Sequence, residues 1–116
     1  MKSSISDKTR LQHIPDAIND ILLFTKDIDY NTYMADYKLR LALVKLIEII
    51  GEASNGLSPE AIRRVPDIEW SILAGIRNVL VHEYFGIDYE IIWNSIKQNI
   101  PELKIKIEKA LLNYPE

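Results

Sequence analysis

Apolar residues recur every three or four positions along almost the whole chain, the spacing of one face of an α-helix. Ile14, Ala17, Ile18, Ile21, Leu22 and Thr25 follow it first. Pro15 is awkward inside a helix that begins at Lys8, so this helix is expected to start near Ile14, or to be kinked there, and to end around Asp27–Asp29. A second helix is expected from a cap at Asn31 or Thr32 to Gly56. Tyr37, Leu41, Val44, Ile47 and Glu48 trace one stripe along it, and Leu39, Leu43, Leu46, Ile50 and Ala53 a neighbouring one. So wide an apolar surface places that helix centrally.

Shorter elements follow. Ser58-Pro59-Glu60 combines a capping hydroxyl, a first-turn proline and an acid at the positive end of the helix dipole. Pro66 stops this helix, and Asp67 is expected to cap a fourth carrying Trp70, Leu73, Ile76, Leu80 and Tyr84. Gly86 ends it. Asp88 caps a fifth with Tyr89, Ile92, Trp93 and Ile96, and Pro101 opens a last one with Leu103, Ile107, Leu111 and Leu112. The β-branched residues fall at helical spacing, so no strand pair is expected. The pattern predicts an all-α antiparallel helical bundle of about five to six helices, with 1–116 as one domain.

Composition narrows the chemistry. With 116 residues, 47% of them hydrophobic, the chain can bury a core but not a deep private cleft. The absence of Cys removes disulfides, thiol nucleophiles and thiolate zinc sites. The formal net charge of −3 argues against a general polyanion-binding surface and leaves room for a local basic site. The polar N-terminus has no signal-peptide core, and no segment approaches the roughly 20 apolar residues of a membrane helix. A cytoplasmic protein without membrane contact is the expectation.

Chemistry concentrates in Arg77-Asn78-Val79-Leu80-Val81-His82-Glu83-Tyr84, at the polar end of an otherwise apolar helix. Asn78 and His82, four apart, share a helix face. Arg77 and His82, five apart, point roughly 140° away from each other on an ideal helix. They meet only if the helix loosens, if long side chains reach around, or if two copies of the chain face each other. From spacing alone, such residues near a helix end are more often capping groups than a catalytic set. The chemical reading is that His acts as general acid or base near neutrality and that Arg neutralises charge on a phosphoryl group.

This stretch resembles the RxxxxHxY motif of HEPN domains, and in particular the HepT-like toxins paired with minimal nucleotidyltransferase antitoxins. Ile49-Ile50-Gly51-Glu52-Ala53, Leu57-Ser58-Pro59, Pro66-x-Ile68-x-Trp70, Leu80-Val81-His82-x-Tyr84-Phe85-Gly86-Ile87-Asp88 and Asn99-Ile100-Pro101-Glu102-Leu103 extend the resemblance over roughly residues 10–112. It implies a dimeric HEPN-like bundle with two motifs in one cleft. It also implies the toxin of a type VII toxin–antitoxin pair, an endoribonuclease using neither metal nor cofactor. His82 would move a proton while the RNA 2′-hydroxyl attacks the adjacent phosphate. Arg77 would hold that phosphate, and Asn78 would orient His82. Tyr84 matches the tyrosine that the partner nucleotidyltransferase modifies with AMP. Pro15 departs from the family pattern and bears on the first helix only. A different class of reading is a non-catalytic module in which the same residues bind a nucleotide or the partner. A plain structural helical dimer also fits the composition but leaves the motif unexplained.

Other residues carry blander expectations. Glu52 is a candidate support that hydrogen-bonds a motif residue. Glu48, four positions earlier, pairs with Lys45 or faces solvent. His13 is a helix-flank residue, Arg63 and Arg64 are a solvated pair, and Trp70 and Trp93 are core anchors. Lys104, Lys106 and Lys109 share a mixed-charge face with Glu102 and Glu108.

Overall fold

The computed structural model describes residues 6–70, 73 and 86–114. Among them the chain forms six helices and no strand. The first, α1, spans Asp7–Thr25 and starts well before Ile14. Ser6 caps it, its Oγ accepting the Thr9 N–H at 3.1 Å. Pro15 lies inside the helix and is buried. An interior proline costs ~3 kcal/mol through its missing donor and its clash with the preceding turn. Leu11, fully buried in the turn that an Ile14 start would have left out, contributes roughly 1.5–3 kcal/mol by its burial alone.

A second tie holds the same turn. The Asp7 carboxylate accepts the Ser58 N–H at 3.0 Å and the Ser58 hydroxyl at 2.6 Å. These two bonds hold the Asp7 carboxyl below its ordinary value. They also show that α1 and the helix ending at Asn55 run antiparallel. Gly56 marks the same junction: the Arg10 guanidinium lies against it, and a Cβ there would stand 2.5 Å from Arg10 Cζ.

The expected second helix is two helices. Short α2, Tyr30–Ala35, is capped by Asp29, whose Oδ1 accepts the Thr32 N–H at 2.8 Å. Asn31 and Thr32 therefore lie inside a helix and do not begin one. The long α3 spans Tyr37–Asn55. Between them Asp36 is extended, at φ −111° and ψ 95°, while its Oδ1 accepts the Leu39 N–H at 3.0 Å. A short acid that bonds the amide three residues on favours this conformation over helix, so the chain breaks there. Gly56 does end α3, in a right-handed conformation at φ −89°.

Ser58 caps α4, Pro59–Arg64, accepting the Ala61 N–H at 3.2 Å. Asp67 lies in a turn and is not the cap expected of it. Helix resumes only at Trp70, where the Leu73 N–H reaches the Glu69 carbonyl at 3.2 Å. The remainder of that expected helix, with Ile76, Leu80 and Tyr84, lies outside the described residues. Asp88 caps α5, Tyr89–Gln98, accepting the Glu90 and Ile91 N–H groups. Pro101 sits in the first turn of α6, Ile100–Asn113.

The core forms where α1 packs on α3 and α6, with α5 against α6. Leu11, Ile14, Ile18, Ile21, Leu43, Ile96 and Ile107 are almost fully enclosed. The α3 surface is only partly covered: Leu43, Ile47 and Ile50 are buried, whereas Tyr37 and Leu41 remain 61% and 47% exposed. Leu112 also faces outward. No helix among the described residues is long and apolar enough to cross a membrane.

Candidate functional site

Arg77, Asn78, His82 and Tyr84 lie outside the described residues. The chain that enters and leaves their segment is described, and both flanks are held. On the entry side Trp70 is buried, and its indole N–H donates to the Val65 carbonyl at 2.9 Å. That bond fastens the first turn of the incoming helix to the end of α4. Trp70 is thus the core anchor expected of it, as is Trp93 on α5.

The exit side is fastened through α2. The Tyr33 side chain is fully buried, and its hydroxyl donates to the carbonyl of Tyr89, the first residue of α5, at 2.8 Å. Burial pushes the Tyr33 hydroxyl up to about 12. Tyr33 stacks on Trp93 at 4.7 Å between ring centroids. Arg40 braces the same corner. Its Nη1 donates to the carbonyls of Tyr33 and Met34 at the end of α2. Its guanidinium lies 5.5 Å from the Tyr37 ring centroid and 4.9 Å from that of Tyr89. Sequence reasoning passed over Tyr33 and Arg40, because their partners lie across the break at Asp36 or more than fifty residues along the chain.

Next to the entry flank is a cavity of about 260 Å³ walled by Ile47, Ile50, Leu73 and Ile100, with Glu69 and Lys106 also lining it. Glu52 is exposed on α3 and is engaged in an interaction. Glu48 pairs with Lys45 at 3.0 Å, as expected. Arg64 bonds Glu60 at 3.2 Å and lies over the Tyr114 ring, while Arg63 is exposed. Lys104 pairs with Glu108 at 2.6 Å on the mixed-charge face of α6. His13 is exposed on α1. Among the described residues no three His, Asp or Glu side chains gather where they could hold a metal ion.

The model of the family described as Ribonuclease HepT-like matches residues 14–110, a span that includes the whole Arg77–Tyr84 motif. The chain belongs to the HepT-like ribonuclease family. Similar proteins include one of Methanocaldococcus jannaschii named as a candidate RNase, 40% identical over 101 residues, covering 87% of this chain and 93% of the relative. A protein of Thermococcus cleftensis named as a candidate HepT ribonuclease is 39% identical over 104 residues, covering 90% and 94%. A further M. jannaschii protein, also named as a candidate RNase, is 36% identical over 109 residues, covering 94% of both chains. No solved structure gives a significant match. The helices seen here are the HepT-like, HEPN-type all-α bundle that the resemblance implied.

Proposed function

We propose that this HepT-like chain is a metal-independent endoribonuclease, the toxin of a type VII toxin–antitoxin pair, acting in the cytoplasm as a homodimer of one-domain protomers. Its family membership across the full motif carries the reading. Two copies place two Arg77–His82 sets in one cleft, which answers the roughly 140° that separates the two side chains on one ideal helix. Trp70 fastens the chain before the motif, and the Tyr33–Tyr89 bond fastens it after.

The chemistry follows from the residue types. An RNA 2′-hydroxyl loses its proton to a neutral His82 imidazole and attacks the adjacent phosphorus. The bond from phosphorus to the 5′-oxygen breaks, and that oxygen takes a proton from an imidazolium, leaving a cyclic phosphate and a 5′-hydroxyl. Arg77 neutralises the charge that builds on the phosphoryl oxygens, and Asn78 orients His82. Glu52 is assigned a supporting role beside the motif. In the silenced state the Tyr84 hydroxyl attacks the α-phosphorus of ATP on the partner nucleotidyltransferase, and pyrophosphate leaves. The added AMP puts negative charge where the RNA phosphate binds.

Expression in a host without the partner tests this. The wild type is expected to arrest growth, and His82→Ala to be harmless at equal soluble yield. Co-expressed partner should rescue cells carrying the wild type but not those carrying Tyr84→Phe. Arrest by His82→Ala refutes the nuclease reading. AMP-sized mass additions persisting on Tyr84→Phe refute Tyr84 as the acceptor.

A further inference from the structure

We propose that Tyr37, backed by Arg40, is a stacking platform for one base of a single-stranded RNA that runs past the motif; the inference rests on the ribonuclease reading above. Tyr37 is the first residue of α3, and its side chain is largely open to solvent, whereas Tyr33, one turn back along the chain, is fully buried. The Arg40 guanidinium lies over the Tyr37 ring and over the Tyr89 ring. Its Nη1 is committed to two carbonyls of α2, which holds the guanidinium against the ring. The cation behind the ring is therefore in place before a ligand arrives.

The local charge selects what can land there. Asp29, Asp36 and Asp88 cap α2, α3 and α5, the three helices joined at this corner, so the surface does not attract a phosphate backbone in general. Each of the three carboxylates is turned to backbone N–H groups at a helix start, away from service as a ligand. What remains accessible is an aromatic face with a cation behind it. That suits a nucleobase, whose π-face stacks on tyrosine whatever its sequence. The position along the chain fits as well: Tyr89 follows Tyr84 by five residues, which cannot stretch beyond roughly 18 Å.

The test is fluorescence anisotropy with the full-length protein and a labelled 2′-O-methyl single-stranded oligonucleotide, which has no 2′-hydroxyl to react. Tyr37→Leu is expected to weaken binding about tenfold, by the same factor at low and high salt, and Tyr37→Trp to keep wild-type affinity. The exposure of Tyr37 lets both variants fold, which thermal melting checks. If the wild type binds and Tyr37→Leu binds equally, the platform is refuted while the ribonuclease reading stands. If the wild type binds no oligonucleotide, both fall. A loss that shrinks at high salt means a phosphate contact, and a loss of self-association in Tyr37→Leu means a protein interface. Either overturns the proposal.

Discussion

Among single residues, Tyr33 has the most to lose. It is fully enclosed, its hydroxyl bonds the Tyr89 carbonyl, and burial raises that hydroxyl to about 12 from an ordinary 10.0. The unfolded chain therefore ionises this tyrosine first as the pH rises. Its contribution to stability is complete below pH 10 and is lost as the pH climbs through 12. Across that window the slope is at most about 1.4 kcal/mol per pH unit. Tyr33→Phe is expected to cost about 1 kcal/mol at neutral pH through the lost hydrogen bond. Measured by denaturant unfolding from neutral to alkaline pH, the advantage of the wild type over Tyr33→Phe should shrink above pH 10 and reverse before pH 12. An advantage that stays constant or grows across that window would mean that the hydroxyl is not buried in this way.

Among elements, the caps explain both what could be read from the sequence and what could not. Helices α4, α5 and α6 begin where Ser58-Pro59, Asp88 and Pro101 say they should, since each signal acts on the amides right beside it. The break at Asp36 is hidden because Tyr33, Tyr37 and Leu41 keep helical spacing across it. The early start of α1 is hidden by Pro15, whose cost is offset by the Ser6 cap, by the burial of Leu11 and by the Asp7–Ser58 tie, 51 residues apart. Of the candidate site, the spacing of Arg77, Asn78, His82 and Tyr84 and the resemblance to HEPN domains were legible. The Tyr33–Tyr89 bond, which spans 56 residues, was not, because only the folded chain brings its ends together; the Trp70–Val65 bond was not, because it depends on how the short turn between α4 and Trp70 is bent. If Asp36 sets the junction between α2 and α3, Asp36→Ala should lower unfolding free energy by about 1 kcal/mol. The exposed neighbour Lys38→Ala should have little effect, with m unchanged in both. Equal stability of Asp36→Ala and wild type would remove Asp36 from that role.

At the scale of the whole molecule, the proposed function asks a small acidic HepT-like bundle to act on a polyanion. A net charge of −3 supplies no general attraction for RNA, so under that proposal binding and chemistry come from local features: two copies of Arg77 and His82 brought together by a dimer, and the aromatic corner at the start of α5. A cleft made from two chains also meets the size limit of one, since 116 residues are spent on a core shared by six described helices. The most direct measurement is cleavage of a defined single-stranded RNA by the purified, unmodified protein in excess EDTA, wild type against His82→Ala, with both shown to be folded and of equal mass in solution. The wild-type dimer is expected to cleave to products with a cyclic phosphate and a 5′-hydroxyl, and His82→Ala, still dimeric, is expected not to. An inert wild-type dimer, or a His82→Ala protein that cleaves as well as the wild type, would contradict the ribonuclease reading.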